Sequence, residues 1–244
     1  MISIITVVYN GEKTIRQTLE SVCNQSVLPD EYIIVDGLSS DSTLTIVREY
    51  MEKHPFMKLI SEKDSGIYDA MNKGIQLAKG KLIGIINSDD WYETNALEKM
   101  SEAFVANGSG VYYGILRYIL NEKEFYLERA NPEFLAQLMI PHPSTFVSAD
   151  LYKDYGLFNL NYKISSDLEL FIRYSINKIK FYPLNNIIAN YRIGGASSTP
   201  KAGMESILIR KNYGLITRRQ YYFKFLKLKI KSIINYWEGK QSKP

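Results

Sequence analysis

A single cysteine, Cys23, stands among 244 residues, so no intramolecular disulfide can frame the fold and a reducing compartment suits the chain. Only two histidines occur, His54 and His142. Neither has a second histidine or cysteine at metal-ligand spacing, and a zinc site is not expected. No apolar run approaches the ~20 residues that cross a bilayer. Met1 opens directly into Ile2 to Val8 without a basic leader, so a cytoplasmic protein is expected. Glycine is missing where a phosphate loop would need it. Gly11 stands alone after the first apolar run, and neither G-x-G-x-x-G nor a Walker sequence occurs, which weakens dinucleotide-binding and P-loop readings. Internal repeats and low-complexity linkers are also absent, and one compact domain with a tail is the expected organisation.

What is present is the composition of a globular protein, 45% hydrophobic and 23% charged. The net charge of +4 hides an asymmetry. Residues 205–244 carry ten Lys/Arg against Glu205 and Glu238, a net of +8, which leaves −4 for residues 1–204. A mildly acidic body and a strongly basic tail serve different purposes.

Short apolar runs alternate with helical-period segments over the first hundred residues. Strands are predicted at 2–8, 31–36, 57–62 and 82–86, and helices at 12–24, 41–53, 67–79 and 94–106. That alternation implies βαβ units and a mostly parallel sheet. Asp41 is placed to cap the second helix, Gly80 to end the third, and Thr94 or Asn95 to start the fourth. The second half is less regular. Strands are predicted at 110–120, 125–127, 144–148, 179–183 and 187–193, with helices near 133–139 and 166–177.

Acidic residues fall where strands should end. Asp36 closes Tyr32 to Val35, Asp64 follows Lys58 to Lys63, and Asp89-Asp90 follows Leu82 to Ser88. Open α/β sheets bind ligands in the crevice outside the strands' carboxyl ends, where a carboxylate can meet ribose hydroxyls or a base edge. Adjacent like charges repel unless a cation lies beside them. A hard divalent ion that itself bridges phosphates would supply one. Turn chemistry explains any one such aspartate, and Asp41 well, but less easily the whole series.

Four motifs make the pattern specific: Thr6-Val7-Val8-Tyr9-Asn10, Val35 to Thr43, Asp64 to Gly74, and Asn87-Ser88-Asp89-Asp90. In that order and spacing the chain resembles a family 2 inverting glycosyltransferase of the GT-A fold. The resemblance covers roughly residues 1–200. It implies an α/β fold, a Rossmann-like mixed, mostly parallel sheet flanked by helices, with a C-terminal helical tail. Residues 1–106 would form the nucleotide-sugar half, 107–200 the acceptor half, and 201–244 the tail.

The resemblance also implies roles. Thr6, Val8 and Asn10 would line the nucleotide pocket, Asp36 would accept from the base (uracil by expectation), and Asp64 would sit under base or ribose. Lys73 would approach the sugar or phosphates. Asp90 would ligate Mn²⁺ or Mg²⁺, leaving Asp89 for ribose or donor-sugar hydroxyls. Asp167, in Ile164-Ser165-Ser166-Asp167-Leu168-Glu169, would be the base that takes the acceptor proton, against the alternative of a favourable first-turn helix charge. His142, between Pro141 and Pro143, would donate to the diphosphate or be a rigid loop residue only. Arg192, before Gly194-Gly195, would meet the diphosphate when a glycine-hinged loop closes, or be a surface arginine at a plain turn.

The implied activity is metal-dependent, inverting transfer of a sugar from a nucleotide-sugar donor, expected to be UDP-linked, to a glycan or lipid-linked acceptor. Two competitors stand beside it. A sugar nucleotidyltransferase would want a glycine- and basic-rich triphosphate loop, which is absent; a non-catalytic relative would not need all of Asp36, Asp89, Asp90 and Asp167.

In the tail, Phe223, Leu226, Ile230, Ile233 and Trp237 recur at helical spacing beside Lys224, Lys227 and Lys231. Such a helix can lie on the anionic inner face of a membrane, or pack on the core or on a second copy as a homodimer. Nucleic acid is not an expected partner, since no recognition motif accompanies the charge.

Overall fold

The computed structural model describes residues 1–194 and 199–241, with side chains through residue 230. Four strands, β1 (Ile2–Val8), β2 (Glu31–Asp36), β3 (Met57–Ser61) and β4 (Leu82–Asn87), pair in parallel in the order β3-β2-β1-β4. Both faces of β1, β2 and β4 are covered, whereas the edge strand β3 exposes Lys58 and Ser61. Ile5, Val7, Ile33, Val35, Ile83 and Ile85 enter one core, and Ile4, Val8, Tyr32, Ile34, Leu82 and Ile86 enter the other. Burial on both sides is why these strands read as unbroken apolar runs rather than alternating ones.

Helices α1 (Ile15–Cys23), α2 (Thr43–Met51) and α4 (Ala96–Asn107) fill the second core, while α3 (Ile67–Leu77) covers the first. Cys23 lies in that packing, where burial pushes its thiol up to about 12, so it stays protonated and inert.

Beyond β4 the pairing turns largely antiparallel. The chain bends at Ser88 into the two-residue β5 (Trp91–Tyr92), which pairs with the end of β9 (Phe181–Arg192). Strand β6 (Val111–Leu120) runs parallel to β9, and its other edge meets β8 (Thr145–Ser148) and then β7 (Lys123–Glu128). Strand β8 also closes against β4; a Cβ on Gly84 would come 2.5 Å from the Phe146 ring that crosses there. This mixed α/β architecture agrees with the expected fold class.

Several sequence expectations shift. The helix expected at 133–139 is a single 3₁₀ turn, Pro132–Phe134. The strands expected at 179–183 and 187–193 are one strand, β9, whose register against β6 slips near Ile115. Helix α5 (Ala149–Tyr155) was not anticipated from the pattern, whereas α6 (Ser166–Ile176) was. Asp41 lies one residue before the cap, its Oδ1 accepting the Thr43 N–H at 3.0 Å, and α3 ends at Leu77 rather than at Gly80.

The tail is two helices, α7 (Pro200–Asn212) and α8 (Arg218–Gln241), separated by Gly214 in the left-handed region at φ 72°. Helix α7 belongs to the body. Ile209 is fully buried in the first core, and the buried Arg210 donates from Nε to the Leu135 carbonyl and from Nη2 to that of Leu138, both at 2.9 Å. Helix α8 packs along α7, with Leu228 over Gly203. Gly195 to Ser198 lie outside the described residues, and the side chains of Lys231, Ile233 and Trp237 outside the described side chains. No helix among the described residues is long and apolar enough to cross a membrane.

Candidate active site

A cavity of about 860 Å³ opens where β1 and β4 end, with Tyr68, Asp167 and His142 on one wall and the β6–β7–β9 surface on another. That size suits a ligand larger than a single sugar. Its position outside the carboxyl ends of parallel strands is the one that open α/β sheets use.

At the β1 end the chain makes a sharp exit. Asn10 takes a left-handed conformation, φ 51°, which asparagine tolerates better than most residues. Its N–H donates to Ser39 Oγ at 2.8 Å, and its Oδ1 accepts the Ser40 N–H at 2.8 Å. This lashing of the β1 exit to the β2 exit leaves Tyr9 66% exposed on the cavity wall. Asp64 reaches the same wall, its Oδ1 accepting the Gly66 N–H at 2.9 Å. Gly37 is required beneath it, since a Cβ there would sit 2.5 Å from Asp64 Oδ2.

Six of the expected residues line the cavity: Val8, Asn10, Asp64, Asp89, His142 and Asp167. Thr6 does not. It is fully buried and bonded to the Tyr32 hydroxyl at 2.9 Å. Asp36 is also fully buried, its carboxylate taken by the Ser39 N–H at 3.1 Å and Ser61 Oγ at 2.6 Å. It holds the turn that carries Gly37.

The aspartate pair splits against expectation. Asp89 lines the cavity together with Asn87 and Ser88. Asp90 is fully buried and turned away, its Oδ1 accepting the Arg192 N–H at 3.0 Å and its carbonyl accepting from Thr18 Oγ1 at 2.7 Å. Burial, and then the charge of Asp89, push the Asp90 carboxyl well above the usual carboxylate range. Burial also raises Asp89. Two acceptor oxygens here have no hydrogen-bond partner among the described residues, Asn87 Oδ1 and Asp90 Oδ2.

The expected cations are committed elsewhere. Lys73 lies off the cavity, paired with Glu62 at 2.9 Å and donating to the Lys63 carbonyl at 2.6 Å. Arg192 pairs with Glu122, donates to Gln17 Oε1 at 2.7 Å and lies over the Trp91 ring at 5.2 Å. Lys73 is expected at the sugar or phosphates and Arg192 at the diphosphate on loop closure, but here a carboxylate pairs with each outside the cavity wall.

Asp167 stands at the first turn of α6. Its Oδ1 accepts the Tyr68 hydroxyl at 2.9 Å and the Leu168 N–H at 2.9 Å. Burial lifts its pKa from 3.8 to about 6, with the Tyr68 bond holding it lower than burial alone would. His142 packs edge-on against Phe158, and burial lowers it to about 4, so it is neutral at pH 7 and offers a single N–H.

The loop before Asp167 is fixed from α7. The Glu205 carboxylate accepts the N–H groups of Lys163, Ile164 and Ser165 at 2.8, 2.7 and 2.6 Å. Sequence reasoning missed Tyr9, Tyr68 and Glu205. The first two lie inside the quoted motifs, whereas nothing local marks Glu205.

An oxygen set fit for Mg²⁺ or Mn²⁺ is present in part. Asp89 lines the wall, Asn87 lines it beside Asp89 with its Oδ1 buried and without a hydrogen-bond partner, and no group of three or more His, Cys, Asp or Glu among the described residues could cage a metal alone. Such ions routinely complete their shell with phosphate oxygens and water, so this set fits an ion that arrives with a diphosphate.

Residues 3–166 match the family model described as glycosyl transferase family 2. The chain is 38% identical over 104 residues to chondroitin synthase of Escherichia coli, an alignment covering 43% of this chain; the chain spans 15% of that protein's length. It is 30% identical over 209 residues to the PGL/p-HBAD biosynthesis glycosyltransferase of Mycobacterium bovis (strain BCG / Pasteur 1173P2), covering 82% of this chain and 80% of that one. Its fold is shared with S. aureus TarS 1–349 in complex with UDP-GlcNAc, at TM-score 0.71 and 20% identity over 94% of this chain and 72% of that one. It is likewise shared with the mannosyltransferase PcManGT of Pyrobaculum calidifontis in complex with GDP-Man and Mn²⁺, at TM-score 0.70 and 14% identity over 93% and 68%. From the match along most of its length and the mycobacterial relative aligned over four fifths of both proteins, the chain belongs to glycosyl transferase family 2.

Proposed function

We propose that the cavity binds a UDP-linked sugar and passes the sugar, with inversion, to a hydroxyl of a glycan or lipid-linked acceptor. The observation that carries this is the pairing of two carboxylates on one cavity in a family 2 fold. Asp89 lies at the β4 exit, and Asp167 on another wall with a pKa lifted to about 6. A base near the working pH is what proton removal from an alcohol needs.

In this reading Tyr9 stacks on the base, with Val8, Asn10 and Asp64 completing the nucleoside end. The acceptor oxygen attacks the anomeric carbon as the bond to the β-phosphate breaks, and its proton passes to Asp167. Both fixed donors to Asp167 end on Oδ1, so Oδ2 is the oxygen we assign to the proton. The neutral His142 orients diphosphate through one N–H. A divalent ion held by Asp89 and Asn87 would neutralise charge on the departing diphosphate. A cationic clamp from Lys73 or Arg192 would require breaking their present ion pairs.

Calorimetric titration with UDP, GDP and ADP, each with and without Mn²⁺, tests the donor. UDP should bind tightest, and more tightly with metal. Equal binding of all three, or none, would overturn the assignment.

The outer face of α8 fits an anionic lipid surface. Tyr222, Phe223, Leu226 and Ile230 are 49–71% exposed along it, with Arg219, Lys227 and Lys229 also exposed beside them. Such a contact would hold the cavity near lipid-linked acceptors. The protein should sediment with vesicles of phosphatidylglycerol and phosphatidylcholine but not with phosphatidylcholine alone. Replacing Phe223 and Leu226 by Glu should abolish that; unchanged sedimentation would assign the face to another protein surface.

A further inference from the structure

Three tyrosines stand in one cross-strand row on the cavity wall. Tyr126 of β7 is opposite Tyr118 of β6, and Tyr118 is opposite Tyr191 of β9. The Tyr118 and Tyr126 rings stack at 4.1 Å and 12°, and Tyr191 meets Tyr118 at 5.2 Å and 61°. Two pairings along, and so on the same face, Glu128 sits opposite Leu116 and accepts the Tyr118 hydroxyl at 2.5 Å. Glu128 lines the same cavity.

Packing accounts for Tyr118 and Tyr191, which are half-buried against the second core, but not for Tyr126. Where tyrosines serve the core of this protein, as Tyr32 and Tyr112 do, they are 0% exposed, whereas Tyr126 is 43% exposed. An exposed ring, Tyr126, backed by a stacked aromatic row and with a carboxylate at its side, presents an apolar surface next to a strong hydrogen-bond acceptor. Hexopyranoses have that same division, a face of C–H bonds and a rim of hydroxyls. None of these residues is needed at the nucleoside end, where Tyr9 and Asp64 lie, or at the proton-accepting carboxylate.

We infer that this row and Glu128 form an acceptor subsite that takes one pyranose ring of a glycan, its C–H face on Tyr126 and its hydroxyl edge on Glu128. The inference rests on the transfer reading above and adds where the acceptor lies and what chemistry holds it.

Saturation-transfer NMR with methyl β-glucopyranoside, methyl β-galactopyranoside and methyl N-acetyl-β-glucosaminide, in the presence of UDP and Mn²⁺, tests it. At least one glycoside should receive saturation. Tyr126→Ala should weaken that about tenfold, Tyr126→Phe should retain it, and UDP titration should be the same in both variants. No saturation of any glycoside, or saturation unchanged in Tyr126→Ala, would overturn the subsite. So would a loss of UDP affinity in Tyr126→Ala, which would give the row to the donor. Saturation of a glycoside that depends on Tyr126 in a protein that binds no UDP would support the subsite and overturn the donor reading instead.

Discussion

Asp167→Asn should lower turnover about 10³-fold while leaving UDP affinity within about twofold of the parent. Asparagine preserves the acceptor oxygen that Tyr68 and the Leu168 N–H hold, so the first turn of α6 keeps its geometry. What it loses is the capacity to take a proton. A single-turnover assay beside a UDP titration separates the two effects. Full activity in the variant would remove Asp167 from the chemistry.

The pH dependence is a sharper form of the same test. The folded pKa of Asp167 is raised to about 6 from 3.8, so turnover should fall as pH drops through about 6. The Tyr68 bond lowers that pKa; Tyr68→Phe should therefore move the acidic limb to higher pH. Linkage gives stability the opposite slope. The folded state binds this proton more tightly than the unfolded one, so the contribution of Asp167 to stability declines as pH rises from about 4 to 6. Asp167→Asn, uncharged throughout, should be at least as stable as the parent at pH 7.

The first half of the fold was legible because β1, β2 and β4 are buried on both faces, so each appears as an apolar run that ends within a residue of its strand, while the edge strand β3 keeps enough of the pattern in Met57, Leu59 and Ile60. The second half was not, because tertiary partners decide it. The stretch at 133–139 reads as a helix, yet the carbonyls of Leu135 and Leu138 are taken by Arg210 from α7. The tail reads as a separate appendage, yet Glu205 within it fixes the three N–H groups that precede Asp167. The motifs located the cavity without fixing the direction of every side chain. Lys73 has its carboxylate partner Glu62 eleven residues away, but Arg192 meets Glu122 across the fold, a pairing no local pattern announces.

Asp89 and Asp90 show the same limit at the residue that matters most for the donor. Adjacent in sequence, they are separated by a turn in which the Asp90 N–H returns to the Asn87 carbonyl at 3.1 Å, and by β9, which arrives a hundred residues later to occupy Asp90. The metal role expected of Asp90 therefore passes, in our proposal, to Asp89. Asp89→Ala should abolish the strengthening of UDP binding by Mn²⁺ and lower turnover by about 10³-fold, since it removes the carboxylate on the cavity wall. Asp90→Asn should keep the Mn²⁺ response and most of the turnover. The Asn carbonyl can still accept the Arg192 N–H, and the side chain lies buried off the cavity wall. UDP titrations of both variants with and without Mn²⁺ decide between them. A metal response that survives Asp89→Ala and vanishes in Asp90→Asn would return the ion to the buried carboxylate and require β9 to release it.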